Sequence, residues 1–375
     1  MYRSNIMVAG YSLCLKSNRG GALVVMMLML LVVSVGVLTG LSNGHTQQAA
    51  LQHHHDRLQA LRQARENLIA YAVLYADNYP ASGAGPGHLP CPDLDPPDDG
   101  IETNDGPNPP CGKRSQRLGR MPRFTYSRDT QVSQTNRGRP QKRLEFYPPR
   151  SLIDQQLWYL VSDRFINNPR GRIVNVSTVG NIQLTTGQRV AAVIFSPGRE
   201  LSQLGQFRPS EHYKDYLESV LSDPFEEDEI QVEQRGNDLM TTITMADMHQ
   251  ALLKRVVGHA QSWFKQYSMS VCPASAIGCF PFAGNNGVCQ KNLHTGSLPL
   301  LKGDCDHALS VNGRLDGVST RQHWFVRNRW SDLVRYNVLT ECIDGLVSCA
   351  MSVSVAEGNV HINARPTAVL GGGVL

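Results

Sequence analysis

Nine cysteines punctuate this chain of 375 residues, and eight of them, Cys91, Cys111, Cys272, Cys279, Cys289, Cys305, Cys342 and Cys349, lie beyond residue 90. Cysteine at such density serves either metal sites or disulfides. Zinc ligands favour tight pairs such as Cys-x-x-Cys, whereas the closest cysteines here have six residues between them. The pattern therefore favours disulfides. An even set of eight permits many connectivities. Pairing nearest neighbours (Cys91 with Cys111, Cys272 with Cys279, Cys289 with Cys305, Cys342 with Cys349) closes short loops.

The first of these loops carries Asp93, Asp95, Asp98, Asp99, Glu102 and Asp105, six carboxylates within 13 residues. Such density is repulsive unless a cation or a basic surface neutralises it. Hard oxygen ligands at alternate positions suit calcium, with Asp93, Asp95, Asp98, Asp99 and Glu102 as candidate ligands, although the EF-hand spacing is absent. The plain alternative is a solvated, proline-stiffened acidic loop. Residues 113–150 have the opposite bias, with eleven Lys or Arg against Asp129 and Glu145. A basic stripe with Phe124, Tyr126, Phe146 and Tyr147 nearby has the composition of a DNA-binding surface, and equally of a solvated loop pairing with its acidic neighbour. His53-His54-His55 suggests metal, but consecutive helical residues face different ways, so a solvated turn is the better reading. The sequence contains no Gly-x-Ser-x-Gly elbow, His-Glu-x-x-His, phosphate-cradling or dinucleotide motif, and the expectation is a non-enzymatic protein without a resident cofactor.

The elements that must position these residues begin with a membrane signal. Arg19-Gly20-Gly21 leads into an uncharged apolar run from Ala22 to about Leu41, and about 20 such residues cross a bilayer as a helix. Arg3, Lys16 and Arg19 precede it, and the next charge is Asp56. The positive-inside rule then keeps the N-terminus cytoplasmic and exports the rest, where disulfides can form. A secretory signal carries its small residues after the apolar run rather than before it. An uncleaved signal anchor is the plain alternative.

This arrangement resembles the N-terminal signal of type IV pilins and of the pseudopilins of type II secretion. The resemblance implies that a prepilin peptidase cuts between Gly21 and Ala22 and that Ala22 becomes a methylated N-terminus. It also implies pilin-like subunits as partners. Most members place a glutamate four residues further on, where this chain has Met26. In the family that carboxylate pairs with a neighbouring subunit's terminal amine, so its loss implies a minor or tip subunit.

Leu51, Leu58, Leu61, Leu68, Ala72 and Tyr75 recur at helical spacings until Pro80. A helix continuous from Ala22 to Tyr79 would be about 87 Å long. Gly36, Gly40 and Gly44 make a bend plausible and would also admit a neighbouring membrane helix. Further on, Leu152 to Phe165 reads as helix, Arg172 to Val176 and Asn181 to Leu184 as strands, and Val190 to Phe195 as a buried strand. Residues 230–232 and 240–244 read as a hairpin, and Met248 to Phe264 as a helix. The run Leu152 to Pro197 is also similar to an uncharacterised group of pilin-like bacterial membrane proteins.

Beyond Met269 glycine, asparagine and proline turns accumulate with six cysteines, and residues 346–355 and 359–364 read as a hairpin. Trp324, Phe325 and Trp330 beside Arg321, Arg327 and Arg329 offer an adhesive face or, equally, core packing. The expected architecture is α+β: a long N-terminal transmembrane and amphipathic helix packed on an antiparallel sheet, with a C-terminal disulfide-rich loop and β module. Its segments are a leader (1–21), a transmembrane helix (22–41), an amphipathic continuation (42–79), an acidic then basic loop region (80–150), an α+β head (151–268) and the C-terminal module (269–375). The expected function is a minor pilin or pseudopilin in the inner membrane, its head in the periplasm or at the cell surface for adhesion or priming. The alternative is a signal-anchored ligand-binding protein outside any filament.

Overall fold

The computed structural model describes residues 21–78, 85–94, 117–126, 143–146, 157–166, 173–200, 212–271, 280–338 and 351–355. In chain order these form α1 (Gly21–Asn78), β1 (Leu118–Arg120), β2 (Phe124–Tyr126), β3 (Arg143–Glu145), β4 (Trp158–Val161), β5 (Ile182–Leu184), β6 (Arg189–Ser196), β7 (Ile230–Val232), β8 (Leu239–Thr244) and α2 (Met245–Val271). They continue as β9 (Gly284–Asn285), β10 (Val288–Cys289), β11 (Thr295–Ser297), β12 (Arg314–Leu315), β13 (Val318–Ser319), α3 (Trp324–Arg327), α4 (Trp330–Leu333), β14 (Val334–Val338) and β15 (Met351–Val355). The fold is α+β. The chain divides into two units, Met1–Asp56 and Arg57–Leu375.

In the first unit α1 is unbroken through Gly36, Gly40 and Gly44. From Leu23 to Val33 its large apolar side chains are 59–67% exposed, and Ser34 turns its hydroxyl back onto the Leu30 carbonyl at 2.8 Å. A hydroxyl satisfied within its own helix suits an apolar surrounding. Among the described residues no helix is long and apolar enough to cross a membrane; described side chains in this run extend only from Leu23 to Ser34.

In the second unit, α1 residues Leu61, Ala64, Leu68, Ala72 and Tyr75 enter the main core, so the spacing that marked an amphipathic helix is used for packing. Leu58 is 42% exposed and stands outside this face. The six-stranded sheet runs β1-β4-β6-β5-β7, with β8 on the other edge of β6. All its pairings are antiparallel except β5 with β7. One face (Tyr159, Val161, Ala192, Ile194, Ile243) shares the core of α1 and α2. The other (Trp158, Leu160, Val193, Phe195, Ile230, Val232) is covered by Leu217, Tyr213, Tyr216 and Phe225.

That two-faced burial explains one correction. Residues 158–161 are a strand rather than part of a helix, because a strand buried on both faces reads as a continuous apolar run and loses its period. Residues 173–176 are likewise not a strand. The Asn175 carboxamide accepts the Ser177 N–H at 2.9 Å, and the Asn175 N–H donates to the Thr178 hydroxyl at 3.0 Å, which captures the backbone in a turn. Strands β7 and β8 exist but do not pair with each other: β7 lies parallel to β5 and β8 antiparallel to β6. The link between them is drawn away by Asp238, whose carboxylate accepts from the Glu218 N–H (2.9 Å), the Ser219 hydroxyl (3.1 Å) and the Gly198 N–H (3.3 Å).

A second sheet, β10-β9-β11-β14-β15, forms the distal part. Here β15 pairs with β14; residues 359–364, its expected partner, lie outside the described residues. The expected boundary near 269 falls in the last turn of α2, and one hydrophobic cluster joins residues on both sides of it. Phe264 stacks on Tyr336 at 4.6 Å, and Trp263 meets Phe325 edge-on at 5.0 Å. Truncating the fully buried Leu68 to alanine should lower unfolding free energy by about 2–5 kcal/mol. Leu51→Ala, at a side chain 71% exposed, should stay within about 0.5 kcal/mol. Denaturant titration of the full chain in detergent checks both, and equal effects would contradict the packing of α1 described here.

Candidate functional site

A group of titratable side chains lies where α1, α2 and the β12–β13 hairpin meet. Asp77 comes from the last turn of α1, and Arg255 and His259 are one turn apart on α2. Asp316 and Gly317 form the two-residue hairpin turn, with φ of 50° and 78°, the left-handed pair that Asp-Gly supplies most readily. The turn lifts the Asp316 carboxylate toward α2. The Trp263 indole N–H donates to both its oxygens at 3.1 Å, and His323 Nε2 lies 3.4 Å from Oδ2.

His323 is buried, and its Nδ1 accepts the Phe325 N–H at 3.2 Å, capping α3. That bond assigns the ring proton to Nε2, which faces Asp316. His259 lies between two carboxylates, its Nδ1 3.8 Å from Asp316 and its Nε2 4.0 Å from Asp77. Asp77 itself is engaged by Arg255. Among the described residues His259 Nε2 has no hydrogen-bond partner. Burial, followed by the nearby Arg255, holds the His259 imidazolium below its usual range, against the pull of Asp316 and Asp77. Hydrogen bonding from His323, reinforced by Trp263, holds Asp316 below the ordinary carboxylate range despite burial.

This arrangement can gain a proton at His259 and clamp three elements together. Among the described residues no group of three or more His, Cys, Asp or Glu could hold a metal ion. The sequence reading missed this site. Its one local signal is Leu315-Asp316-Gly317-Val318, a short hairpin turn, whereas the histidines are distant from it in sequence.

The residues singled out in the sequence lie elsewhere. Cys289 and Cys305 are joined, with Cα atoms 5.8 Å apart, as nearest-neighbour pairing expects. Cys91 is buried and disulfide-bonded, with its partner outside the described residues. Cys111, Cys272, Cys279, Cys342 and Cys349 also lie outside, as do Asp95, Asp98, Asp99, Glu102 and Ala22's side chain. Asp93 is buried, and its backbone bridges Arg120 through bonds of 2.9 and 3.0 Å. Within the basic stretch Arg117 is buried, donating to the Glu227 carbonyl at 2.9 Å, and Arg120 lies 5.9 Å from the Trp158 ring centre. Trp324, Phe325 and Trp330 are core residues, the packing role that the sequence offered beside an adhesive face. His54 and His55 are exposed on α1, as a solvated turn requires.

Because folding lowers the pKa of His259 below the 6.5 of a free imidazole, the unfolded chain binds more protons in that window, and stability falls as pH drops through it. Asp316, held below 3.8, adds a further loss only in stronger acid. The denaturation midpoint should therefore fall between pH 7.5 and 5.5, and His259→Gln should flatten that slope. An unchanged slope in the variant would assign it to another group.

Compared with known protein families, curated proteins and solved structures, the chain matches none. A functional reading therefore rests on its own residues and geometry.

Proposed function

We propose that this protein is a membrane-anchored minor pilin-like or pseudopilin-like structural component of a type IV pilus or type II secretion-like machine. The observation that carries this is α1: the described helix Gly21–Asn78 carries an exposed apolar run from Leu23 to Val33 and, further along, has Leu61 to Tyr75 built into a folded core. In this reading residues 22–41 lie in the inner membrane with the leader in the cytoplasm. The body is then exported to the periplasm or the cell surface, for priming or adhesion. Pilin-like subunits pack against the apolar run, and a prepilin peptidase acts between Gly21 and Ala22. Met26 in place of the pairing carboxylate favours a minor or tip position, since a polymerising subunit would use that charge against its neighbour's amine. The role is structural, with no reaction assigned to the head.

A second reading, a signal-anchored surface protein that binds a ligand without joining a filament, draws on a polar cleft in the distal sheet. Mass spectrometry of the mature N-terminus separates the two. The pilin-like reading expects Ala22, methylated, and expects Gly21→Val to leave the leader attached. An intact Met1 in the wild type, or a cut beyond residue 41, would sink it.

A further inference from the structure

The outer face of the distal sheet carries an open cleft of about 350 Å³, at the small end of the range for ligand pockets of about 300–1,000 Å³. Its lining is polar, with one apolar side chain, Leu293. Gly284 and Gly296 contribute bare backbone, and a Cβ on Gly296 would come within 2.4 Å of the Gly284 carbonyl. Ser297 serves this floor. It accepts the Gly287 N–H at 2.8 Å and donates to the Gly284 carbonyl at 2.9 Å.

The rim is different. The carboxamides of Asn285, Asn286 and Gln290 are exposed and make no hydrogen bond to a described residue. The guanidinium of Arg335, exposed on β14, has no ion pair or hydrogen bond among the described residues, while the neighbouring Asp332 is taken by Arg329 at 3.0 Å and by the Ser331 hydroxyl at 3.2 Å. The uncommitted groups are thus three amides, each both donor and acceptor, and one guanidinium. Amides match hydroxyl groups, which also donate and accept, and a guanidinium fork matches a carboxylate. A single apolar contact suits the C–H face of a sugar ring better than a peptide, whose anchors need apolar pockets. One uncompensated cation beside a carboxylate is too little for a polyphosphate backbone.

We propose that this cleft binds a carbohydrate bearing a carboxylate, a uronic-acid unit within a glycan, with Arg335 on the acid and Asn285, Asn286 and Gln290 on the ring hydroxyls. The site is pre-arranged. Asn286 and Gly287, at φ of 50° and 82°, form the tight turn between β9 and β10 that holds two of the amides, and the Cys289–Cys305 disulfide pins its base. The proposal goes beyond the pilin-like reading and does not depend on it, since processing at Gly21 and binding at Arg335 are measured separately.

Calorimetric titration of the full chain in detergent with a uronic-acid oligosaccharide, and with the same oligosaccharide after its carboxyl groups are reduced to alcohols, tests it. Saturable binding of the acid form is expected, at least tenfold weaker for the reduced form. Arg335→Gln should cost at least tenfold and erase the difference between the two ligands, and Asn286→Ala should weaken both. Arg335 is exposed, so its variant should keep the wild-type melting temperature. Absence of saturable binding to the wild type, or an affinity unchanged by Arg335→Gln, would overturn the proposal.

Discussion

The fold from Arg57 onward depends on burying one face of α1. That face is Ala60, Leu61, Ala64, Leu68, Tyr71, Ala72, Tyr75 and Ala76, half of it alanine. Small side chains bring the helix backbone close to its neighbours, while Leu68 and the tyrosines fill the space on either side. Packing of this density fixes the helix along its axis, because sliding by one residue would turn polar neighbours inward. The flanks carry matching polar contacts. Arg57 donates to the Ser196 hydroxyl and to the carbonyls of Ser196 and Pro197 at the end of β6; Arg65 donates to the Thr242 carbonyl on β8 and pairs with Asp247 at 2.8 Å. A partly buried guanidinium needs such partners, so two arginines set the register that the apolar face makes tight.

Strand β6 is the second half of that constraint. It pairs with β4 and β5 along one edge and β8 along the other, and its faces belong to different hydrophobic clusters. Beyond Arg189 at its start, the strand has no exposed side chain to signal its period. The same burial explains why Asp238, 2% exposed, is satisfied by two backbone N–H groups and a hydroxyl. Burial raises its pKa, and these bonds and Arg57 offset part of that cost.

What could be read from the sequence follows from these arrangements. The 51–75 part of α1 and helix α2 were legible because each buries one stripe and leaves its other residues exposed or half-exposed. The isolated run at β6 was legible from length and flanking Gly187 and Pro197. Strand β4 was not, since its apolar residues merge with Leu157 and Phe165 into a helix-like spacing. The hairpin assigned to β7 and β8 failed for another reason: pairing partners are chosen by tertiary contacts, and a turn-like Arg235-Gly236-Asn237-Asp238 fits a longer connection equally well. The His259 and Asp316 cluster was invisible because geometry alone brings together residues 77, 259, 316 and 323. Nearest-neighbour pairing of Cys289 with Cys305 succeeded because a short disulfide loop is a local property.

Strand β14 shows how one element can serve two roles without conflict. Val334, Tyr336 and Val338 point inward, where Tyr336 stacks on Phe264 and its hydroxyl donates to the Pro281 carbonyl at 3.0 Å. Arg335 and Asn337 alternate outward, and the Thr295 hydroxyl holds Asn337 at 2.9 Å. The inward set ties the strand to α2, and α2 is tied to α1 through Arg255 and Asp77. Substituting the outward set leaves the core intact, because successive residues on a strand point to opposite faces. A recognition surface built there inherits its rigidity from residues that do not touch the ligand. It can therefore change its chemistry while the mounting on α1 and α2 stays constant.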